Sequence, residues 1–257
     1  MWYQVIQYFK FLSRSTNQHG VHSPFVYDLI TKCFYDTSAF IDYKKLKRYK
    51  NSLLKNNSIL AITDLGSGSR VTKNNNRKIS QITFHSGTKL KRSKLLYRIS
   101  NYFKPKTILE LGTSLGIATQ AMQLGNPDAE ITTIEGCSNI SDFTKQEFEK
   151  QGLKNTNMMV GNFSIVIPTL TSPDYDLIFF DGNHSKEGTL EYFNLLLPKV
   201  HNDSIFIFDD IYWSKGMMEA WEVIKNHKKV TVSIDTFFWG IIFFRKEQTK
   251  EHFTIRI

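Results

Sequence analysis

Residues 107–116 constrain the fold of this chain more than any other part of the sequence. An apolar run there ends in Glu110, and a turn that contains Gly112 and Gly116 follows at once. A helical pattern then begins around Ala118. A strand, a glycine turn and a helix N-terminus in this order form the place where an open α/β sheet binds a nucleotide-like ligand. A second acid, Glu135, ends the next apolar run, where an acid can accept hydrogen bonds from ribose hydroxyls.

From residue 107 onward, apolar runs of strand length alternate with helical patterns. We predict strands at 107–111, 130–135, 156–160, 175–181, 203–209, 230–234 and 237–245, and helices at 114–124, 139–151, 186–197 and 215–227. This alternation indicates an α/β fold with a mostly parallel sheet covered by helices on both faces. The last two strands are separated by so few residues that they must form a hairpin, so one of them runs antiparallel. The expected architecture is Rossmann-like, with seven strands.

The first part of the chain follows a different pattern. Residues 1–104 are expected to form a basic, mainly helical cap that contributes to substrate binding, and residues 105–257 the main domain. Residues 66–94 are rich in Gly, Ser, Asn, Lys and Arg, which predicts a mobile loop. Residues 62–69 resemble a nucleotide turn, but no apolar helical face follows them, so we interpret them as part of a flexible basic loop.

Composition and charge narrow the class of protein. The 257 residues include only two cysteines, no apolar run approaches the ~18–20 residues that span a bilayer, and the N-terminus lacks a signal-peptide pattern. A cytoplasmic protein without stable membrane insertion is therefore expected. Residues 1–104 carry a net charge of +15 and residues 105–257 a net charge of −6. This asymmetry indicates an anionic partner, and a solvated basic surface explains it equally well.

Three further acids follow strand-like runs. Asp181 comes after the run at 175–180, and Asp209 and Asp210 come after the run at 204–208. Ligands bind beyond the carboxyl ends of the strands in open α/β sheets, so these acids, Glu110 and Glu135 should share one rim. Clustered carboxylates repel one another unless they are protonated or neutralised by a cation, and Mg²⁺ prefers such oxygen ligands. Capping of the next helix is the alternative explanation of the pair at 209–210, but two adjacent acids exceed what a cap needs.

The turn at 110–116 resembles the E/D-x-G-x-G-x-G motif of class I S-adenosylmethionine (SAM) dependent methyltransferases, with Ser114 in place of the middle glycine. The acids after the fourth and fifth predicted strands, with the segment 181–188, are similar to those of metal-dependent O-methyltransferases. These include the catechol and caffeoyl-CoA type and bacterial sugar O-methyltransferases. The resemblance covers roughly residues 105–245 and none of the first hundred residues.

The resemblance implies a SAM site and a divalent-cation site. SAM would be bound by Glu110, Gly112, Thr113, Ser114, Gly116, Glu135, Gly136, Asn162, Phe163 and Asp181, and the cation, Mg²⁺ in particular, by Asp181, Asp209 and Asp210. Glu110 would face the methionine amino group, Glu135 the ribose, and the pair at 162–163 the adenine. Asn162 replaces the acid that is usual in the family at that position. The implied reaction is methyl transfer to a hydroxyl of a small molecule, and the basic cap is compatible with an anionic acceptor.

His184 and Asp181 are the candidate catalytic residues. A histidine titrates near neutral pH and can take a proton from a hydroxyl, although His184 could instead pack against the adenosine or cap the next helix. Methylation of RNA through the basic cap, and a non-catalytic protein that keeps the fold, are the alternative functions. A homodimer is compatible with the sequence, which does not identify the methyl acceptor.

Overall fold

A computed structural model describes residues 2–63 and 75–257. Its α-helices are α1 (Trp2–Arg14), α2 (Pro24–Leu29), α3 (Tyr43–Lys55), α4 (Ile79–His85), α5 (Leu90–Phe103), α6 (Ile117–Gly125), α7 (Ser138–Gln151), α8 (Phe163–Val166), α9 (Lys186–Leu196) and α10 (Lys215–Asn226). Its strands are β1 (Ile59–Ala61), β2 (Asn76–Lys78), β3 (Thr107–Leu111), β4 (Glu130–Glu135), β5 (Thr156–Val160), β6 (Leu177–Phe180), β7 (Ile205–Asp209), β8 (Val232–Asp235), β9 (Trp239–Phe243) and β10 (Glu251–Thr254).

The main sheet confirms the predicted α/β class and adds one strand. Its order is β10-β8-β9-β7-β6-β3-β4-β5, and β9 runs antiparallel to both of its neighbours while the other pairs are parallel. The seven predicted strands are all present. The eighth, β10, pairs with β8 at the edge of the sheet. Its four residues are Glu-His-Phe-Thr, and none of them is fully buried. A run this short with one large apolar residue gives no recognisable strand pattern before the partner strand is known.

The N-terminal helices share a hydrophobic core with one face of this sheet. Leu96 and Ile99 of α5 are buried in the same cluster as Ile108 of β3 and Ala121 of α6. Phe25, which follows the first residue of α2, packs edge-to-face on Phe243 of β9 with ring centroids 5.0 Å apart. The helical character expected for this region is therefore present, and its apolar side chains complete the interior of the sheet domain.

The loop predicted at 66–94 is wrong for the part that the structure describes. Residues 75–94 include β2, α4 and the first turn of α5. Ile79 and Ile82 of α4 are buried in the same cluster as Leu115, in the glycine turn, and Ile117, the first residue of α6. Local composition gave no sign of this helix because its apolar partners are distant in sequence. The turn-like segment predicted at 62–69 falls largely on residues 64–74, which lie outside the described residues.

In the sequence of α1, Val5, Ile6, Phe9 and Leu12 fit one helical face, but the structure buries Phe11 instead. Val5, Ile6 and Phe9 lie along one helical side and are exposed, whereas Phe11 is buried. The ring of Phe11 lies 5.5 Å from that of Phe237, in the turn between β8 and β9.

Across residues 2–63 and 75–257, no helix is both long and apolar enough to cross a membrane.

Candidate active site

The carboxyl ends of four adjacent parallel strands form the rim on which the predicted acids converge. Glu110 lies in β3, Glu135 ends β4, Asp209 ends β7, and Asp181 follows β6 directly. A cavity opens at this rim. Among the described residues its lining comprises Ile62, Thr63, Arg77, Ile82, Ser86, Gly112, Ser114, Glu135, Gly136, Cys137, Ile140, Gly161, Asn162, Phe163, Asp181, Gly182, Asn183 and Tyr192. Seven of the ten residues predicted to bind SAM thus share one cavity.

The glycine turn is fixed by its own packing as well as by its place beside the cavity. Gly112 has a φ of +103°, and a Cβ there would collide with the carbonyl oxygen of Asp181. Gly116 has a φ of +69°, and a Cβ there would collide with the ring of Phe148 on α7. Both positions therefore require glycine. Ser114 has a φ of +47°, which explains why glycine is usual at this position in the motif.

Glu135 joins the glycine turn to the loop after β4. Its Oε2 accepts the backbone N–H of Ser114 at 2.8 Å, and its Oε1 accepts the backbone N–H of Cys137 at 2.9 Å. Each carboxylate oxygen can accept more than one hydrogen bond. The carboxylate is thus oriented at the wall of the cavity by two backbone hydrogen bonds.

Glu110 and Thr113 lie in the protein interior beside the turn. The carboxyl of Glu110 is fully buried, and its Oε2 accepts the hydroxyls of Thr119 and Thr133 at 2.5 and 2.6 Å. Burial raises the pKa of Glu110 to about 7 against the opposing effect of these two hydrogen bonds. Oε1 of Glu110 has no partner among the described residues. The hydroxyls of Thr113 and Thr133 form a hydrogen bond of 2.6 Å. Glu110 and Thr113, both predicted to bind SAM, therefore stabilise the turn from the protein interior.

The opposite wall is formed after β5 and β6. Asn162 caps α8, its Oδ1 accepting the backbone N–H of Ser164 at 2.9 Å. The ring of Phe163 packs edge-to-face on Tyr192 with centroids 5.4 Å apart. The hydroxyl of Tyr192 accepts a hydrogen bond from Nδ2 of Asn183 at 2.8 Å. Two aromatic rings and an amide at a cavity wall suit a flat heterocycle with polar edges.

Asp181, His184 and Asp209 form a cluster beside the cavity. One potential ligand atom from each residue lies within 4.8 Å of the others. Burial, followed by the neighbouring Asp209, raises the pKa of Asp181 well above its usual range. Burial and Asp209 also raise the pKa of Asp210 to about 6. This concentration of buried carboxyl groups is stabilised by protons or by a cation, and a divalent ion fits the oxygen-rich donor set.

An arginine that the sequence did not single out lies against these acids. Nη1 of Arg92, on α5, is 3.1 Å from Oδ1 of Asp209 and 3.5 Å from Oδ1 of Asp210. Oδ1 of Asp209 also accepts the indole N–H of Trp239 at 2.6 Å. Asp210, the third predicted cation ligand, therefore faces Arg92, whereas His184 completes the cluster with the other two acids. No sequence motif connects α5 to β7, so only the packing reveals this contact.

His184 lies at the acid cluster and not at the helix cap. Its Nε2 is 3.9 Å from Oδ1 of Asp181, which is an ionic distance but too long for a hydrogen bond. The cap of α9 is provided by Ser185, whose hydroxyl accepts the backbone N–H of Gly188 at 3.2 Å. The ring of Trp213 lies 6.4 Å from that of His184. The capping role considered for His184 is thus filled by its neighbour.

The N-terminal region contributes a wall of the cavity that the sequence did not predict in detail. Its lining side chains are Ile62, Thr63, Arg77, Ile82 and Ser86. The backbone N–H of Thr63 points at the sulfur of Cys137 over 3.3 Å. On the sheet side, Gly182 and Asn183 also line the cavity, and their position directly after Asp181 could have predicted this from the sequence. No comparable signal marks the five N-terminal residues.

Comparison with known proteins shows what this sequence and this fold are similar to. Residues 109–211 match a family model described as a methyltransferase domain. A SAH-bound methyltransferase from Podospora anserina, PaMTH1, aligns with a TM-score of 0.56 at 19% identity, over 62% of this chain and 80% of that one. An O-methyltransferase from Bacillus cereus, in complex with SAH, aligns with a TM-score of 0.53 at 15% identity, over 82% of this chain and 94% of that one.

A third solved structure is TomG from Streptomyces achromogenes, an O-methyltransferase involved in tomaymycin synthesis, in complex with SAM. It aligns with a TM-score of 0.55 at 19% identity, over 63% of this chain and 82% of its own length. The matched domain contains the glycine turn, Glu135, Asp181 and Asp209. The family match over residues 109–211 and the shared fold agree with the resemblance of the sequence to class I SAM-dependent methyltransferases.

Proposed function

We propose that the protein transfers the methyl group of SAM to a hydroxyl oxygen of a small molecule, with a divalent cation bound at the acid cluster. The observation that carries the proposal is the position of Asp181. This residue lines the cavity that suits SAM and also belongs to the cluster with His184 and Asp209. A methyl donor in the cavity and a hydroxyl at the cluster would thus meet at one residue.

The cavity residues have distinct roles in this proposal. Glu135 would accept the ribose hydroxyls, and Phe163 with Asn162 would contact the adenine. The turn from Gly112 to Gly116 would pass beside the methionine part, together with Gly136. Glu110 would attract the positively charged methionine amino group through the electrostatic potential of its buried carboxyl group.

Methyl transfer needs an electrophilic methyl group and an oxygen that has lost its proton. SAM, when bound, supplies a methyl group on a positively charged sulfur. A divalent cation, when bound by Asp181 and Asp209 with Asp210 nearby, supplies a Lewis acid that lowers the pKa of a hydroxyl. His184 would take the hydroxyl proton while the new oxygen–carbon bond forms, and the electrons of the broken carbon–sulfur bond stay on sulfur. Holding the two reactants in line contributes much of the acceleration.

A small-molecule acceptor is favoured over RNA by the character of the solved relatives. TomG is described as acting in tomaymycin synthesis, and another neighbour, from Staphylococcus aureus, is described as a caffeoyl-CoA O-methyltransferase. The basic N-terminal region by itself supports either class of acceptor.

The proposal is tested by binding and turnover measured on the same preparations. We expect calorimetry to detect SAH binding, and labelled SAM to methylate a panel of catechols and sugars in the presence of Mg²⁺. A chelator, or the substitution Asp209→Asn, should abolish turnover and leave SAH affinity nearly unchanged. Asp128→Asn, which changes an exposed acid in the loop before β4, is the matched control. Turnover that survives both the chelator and Asp209→Asn would remove the cation from the mechanism.

A further inference from the structure

Three cationic residues, Lys50, Lys89 and Arg92, are placed around the first turn of α5. Nζ of Lys50, on α3, donates to the backbone carbonyl of Thr88 at 2.6 Å. The next residue, Lys89, is the N-cap of α5, and Arg92 follows one helical turn later. The ammonium of Lys50 is therefore held against the start of the helix that carries the other two cations.

Only one of these three cations has a carboxylate partner. Arg92 contacts Asp209 and Asp210, whereas Lys50 and Lys89 form no ion pair with any acid in residues 2–63 and 75–257. Burial lowers the pKa of Lys50, and the charges of Lys89 and Arg92 lower it further. Bringing like charges together without a counter-charge is unfavourable. An anion bound among the three side chains would remove this cost.

The contacts of Arg92 connect the three cations with the proposed acceptor site rather than with the cavity that suits SAM. Arg92 bridges the cluster to Asp209, where the proposed mechanism places the acceptor hydroxyl. The ring of Phe238, which is 40% exposed, lies 4.3 Å beneath the guanidinium carbon of Arg92. The described residues that line the cavity suited to SAM are different ones, and they include Arg77.

We infer that the methyl acceptor carries a carboxylate or phosphate group, which binds between Lys50, Lys89 and Arg92 while its hydroxyl lies at the Asp181–Asp209 cluster. The inference rests on the proposed function, because it takes the acid cluster as the site of the hydroxyl. Such an arrangement would select substrates by the distance between their anionic group and their hydroxyl. It would also bring the guanidinium of Arg92 into contact with both the acceptor and the acids.

The experiment measures the binding of matched small probes to the full chain, with and without SAH. The probes are benzoate for a carboxylate, phenyl phosphate for a phosphate, and benzamide as the neutral control. We expect both anions to bind, and benzamide to bind at least about tenfold more weakly. Lys89→Gln should weaken anion binding about tenfold, which is the effect of losing one charge-assisted contact of ~1.4 kcal/mol. Lys50→Gln should act in the same direction.

Lys91→Gln is the matched control, because Lys91 is an exposed lysine of the same helix whose Nζ contacts the carbonyl of Ile257. It should leave anion binding unchanged. Stronger binding of benzoate than of phenyl phosphate, or the reverse, tells which anion the site takes. Equal binding of benzamide and the anions, or unchanged anion binding in Lys89→Gln, would overturn the inference.

Two further outcomes separate this inference from the proposed function. If Lys89→Gln weakens SAH binding as well, the cluster belongs to the donor site and the inference fails while the proposed function stands. If small anions do not bind and a short RNA binds with steep salt dependence, the acceptor site is one for nucleic acid and both fail. Absence of SAH binding with retained anion selectivity would contradict the proposed function, and the three cations would then form an anion site whose ligand is not a methyl acceptor.

Discussion

Nη1 of Arg92 lies 3.1 Å from Oδ1 of Asp209, so a helix of the N-terminal region neutralises part of the acid cluster at the edge of the sheet. The two residues are far apart in sequence, and the side chains of both are largely buried. A contact of this kind couples the N-terminal helices to the site on which the reaction depends. Its removal should therefore affect both the stability of the protein and the binding of cations.

Arg92→Leu is expected to lower the free energy of unfolding at neutral pH by about 3 kcal/mol, because it leaves buried carboxylates without their counter-charge. Urea denaturation measures this loss. Mg²⁺ should recover part of it, since a cation at Asp181 and Asp209 replaces the missing charge. Lys150→Gln, which removes a surface ion pair with Glu147, should change stability little and is the control. A loss that Mg²⁺ leaves untouched would argue against a cation at this cluster.

Glu110 should make stability depend on pH. Its pKa is raised by burial from 4.5 to about 7, so the folded state holds this proton more tightly than the unfolded state does. The contribution of Glu110 is therefore fully present below about pH 4.5 and is lost as the pH rises through 7, by ~3 kcal/mol in total. In Glu110→Gln this slope should be absent. Urea unfolding of both proteins at pH 5 and pH 8 gives the difference, and parallel pH profiles would contradict the assignment.

Ser114→Gly tests the strain in the turn. The backbone of Ser114 is in the left-handed region, which costs a residue with a side chain roughly 1 kcal/mol. Glycine removes that cost but loses more entropy on folding, so we expect a net gain of at most ~1 kcal/mol, measured by thermal unfolding. SAH affinity should remain, because the backbone N–H of residue 114 still bonds to Glu135. A marked loss of SAH affinity would show that the Ser114 hydroxyl contacts the ligand.

Gly112→Ala is the contrasting change at the same turn. Its methyl group would collide with the carbonyl oxygen of Asp181, so the loop after β6 must move. We expect the protein to lose SAH binding and more than 1 kcal/mol of stability, since the displaced backbone belongs to both the cavity and the acid cluster. Calorimetry with SAH and urea denaturation measure the two effects. Unchanged SAH affinity in this variant would place the methyl donor elsewhere.

His184→Asn should separate proton transfer from cation binding. Mg²⁺ prefers oxygen ligands, so we expect its affinity to change little when the imidazole is lost. The turnover number should fall by a factor of about 10²–10⁴, because the hydroxyl proton loses its acceptor. SAH affinity serves as the internal control, because His184 lies outside the cavity lining. A large loss of Mg²⁺ affinity would instead make His184 a ligand.

The sequence by itself determined the order of the strands from β3 to β9, the helices α6, α7, α9 and α10 between them, the α/β class and the set of acids at the rim. These features are local, because an apolar run, a glycine turn and a terminal acid are written in consecutive residues. Parallel strands then bring such ends to one edge of the sheet, so the convergence of Glu135, Asp181 and Asp209 follows from topology.

Only the tertiary structure decided how the N-terminal region meets that rim. Helix α4, strand β10, the contact of Arg92 with Asp209 and the grouping of Lys50 with Lys89 all depend on partners distant in the chain. A single sequence shows which side chains are apolar or charged, but it does not show which distant surface will cover or neutralise them. That choice is made when the elements pack, because burial and charge pairing are properties of the assembled molecule.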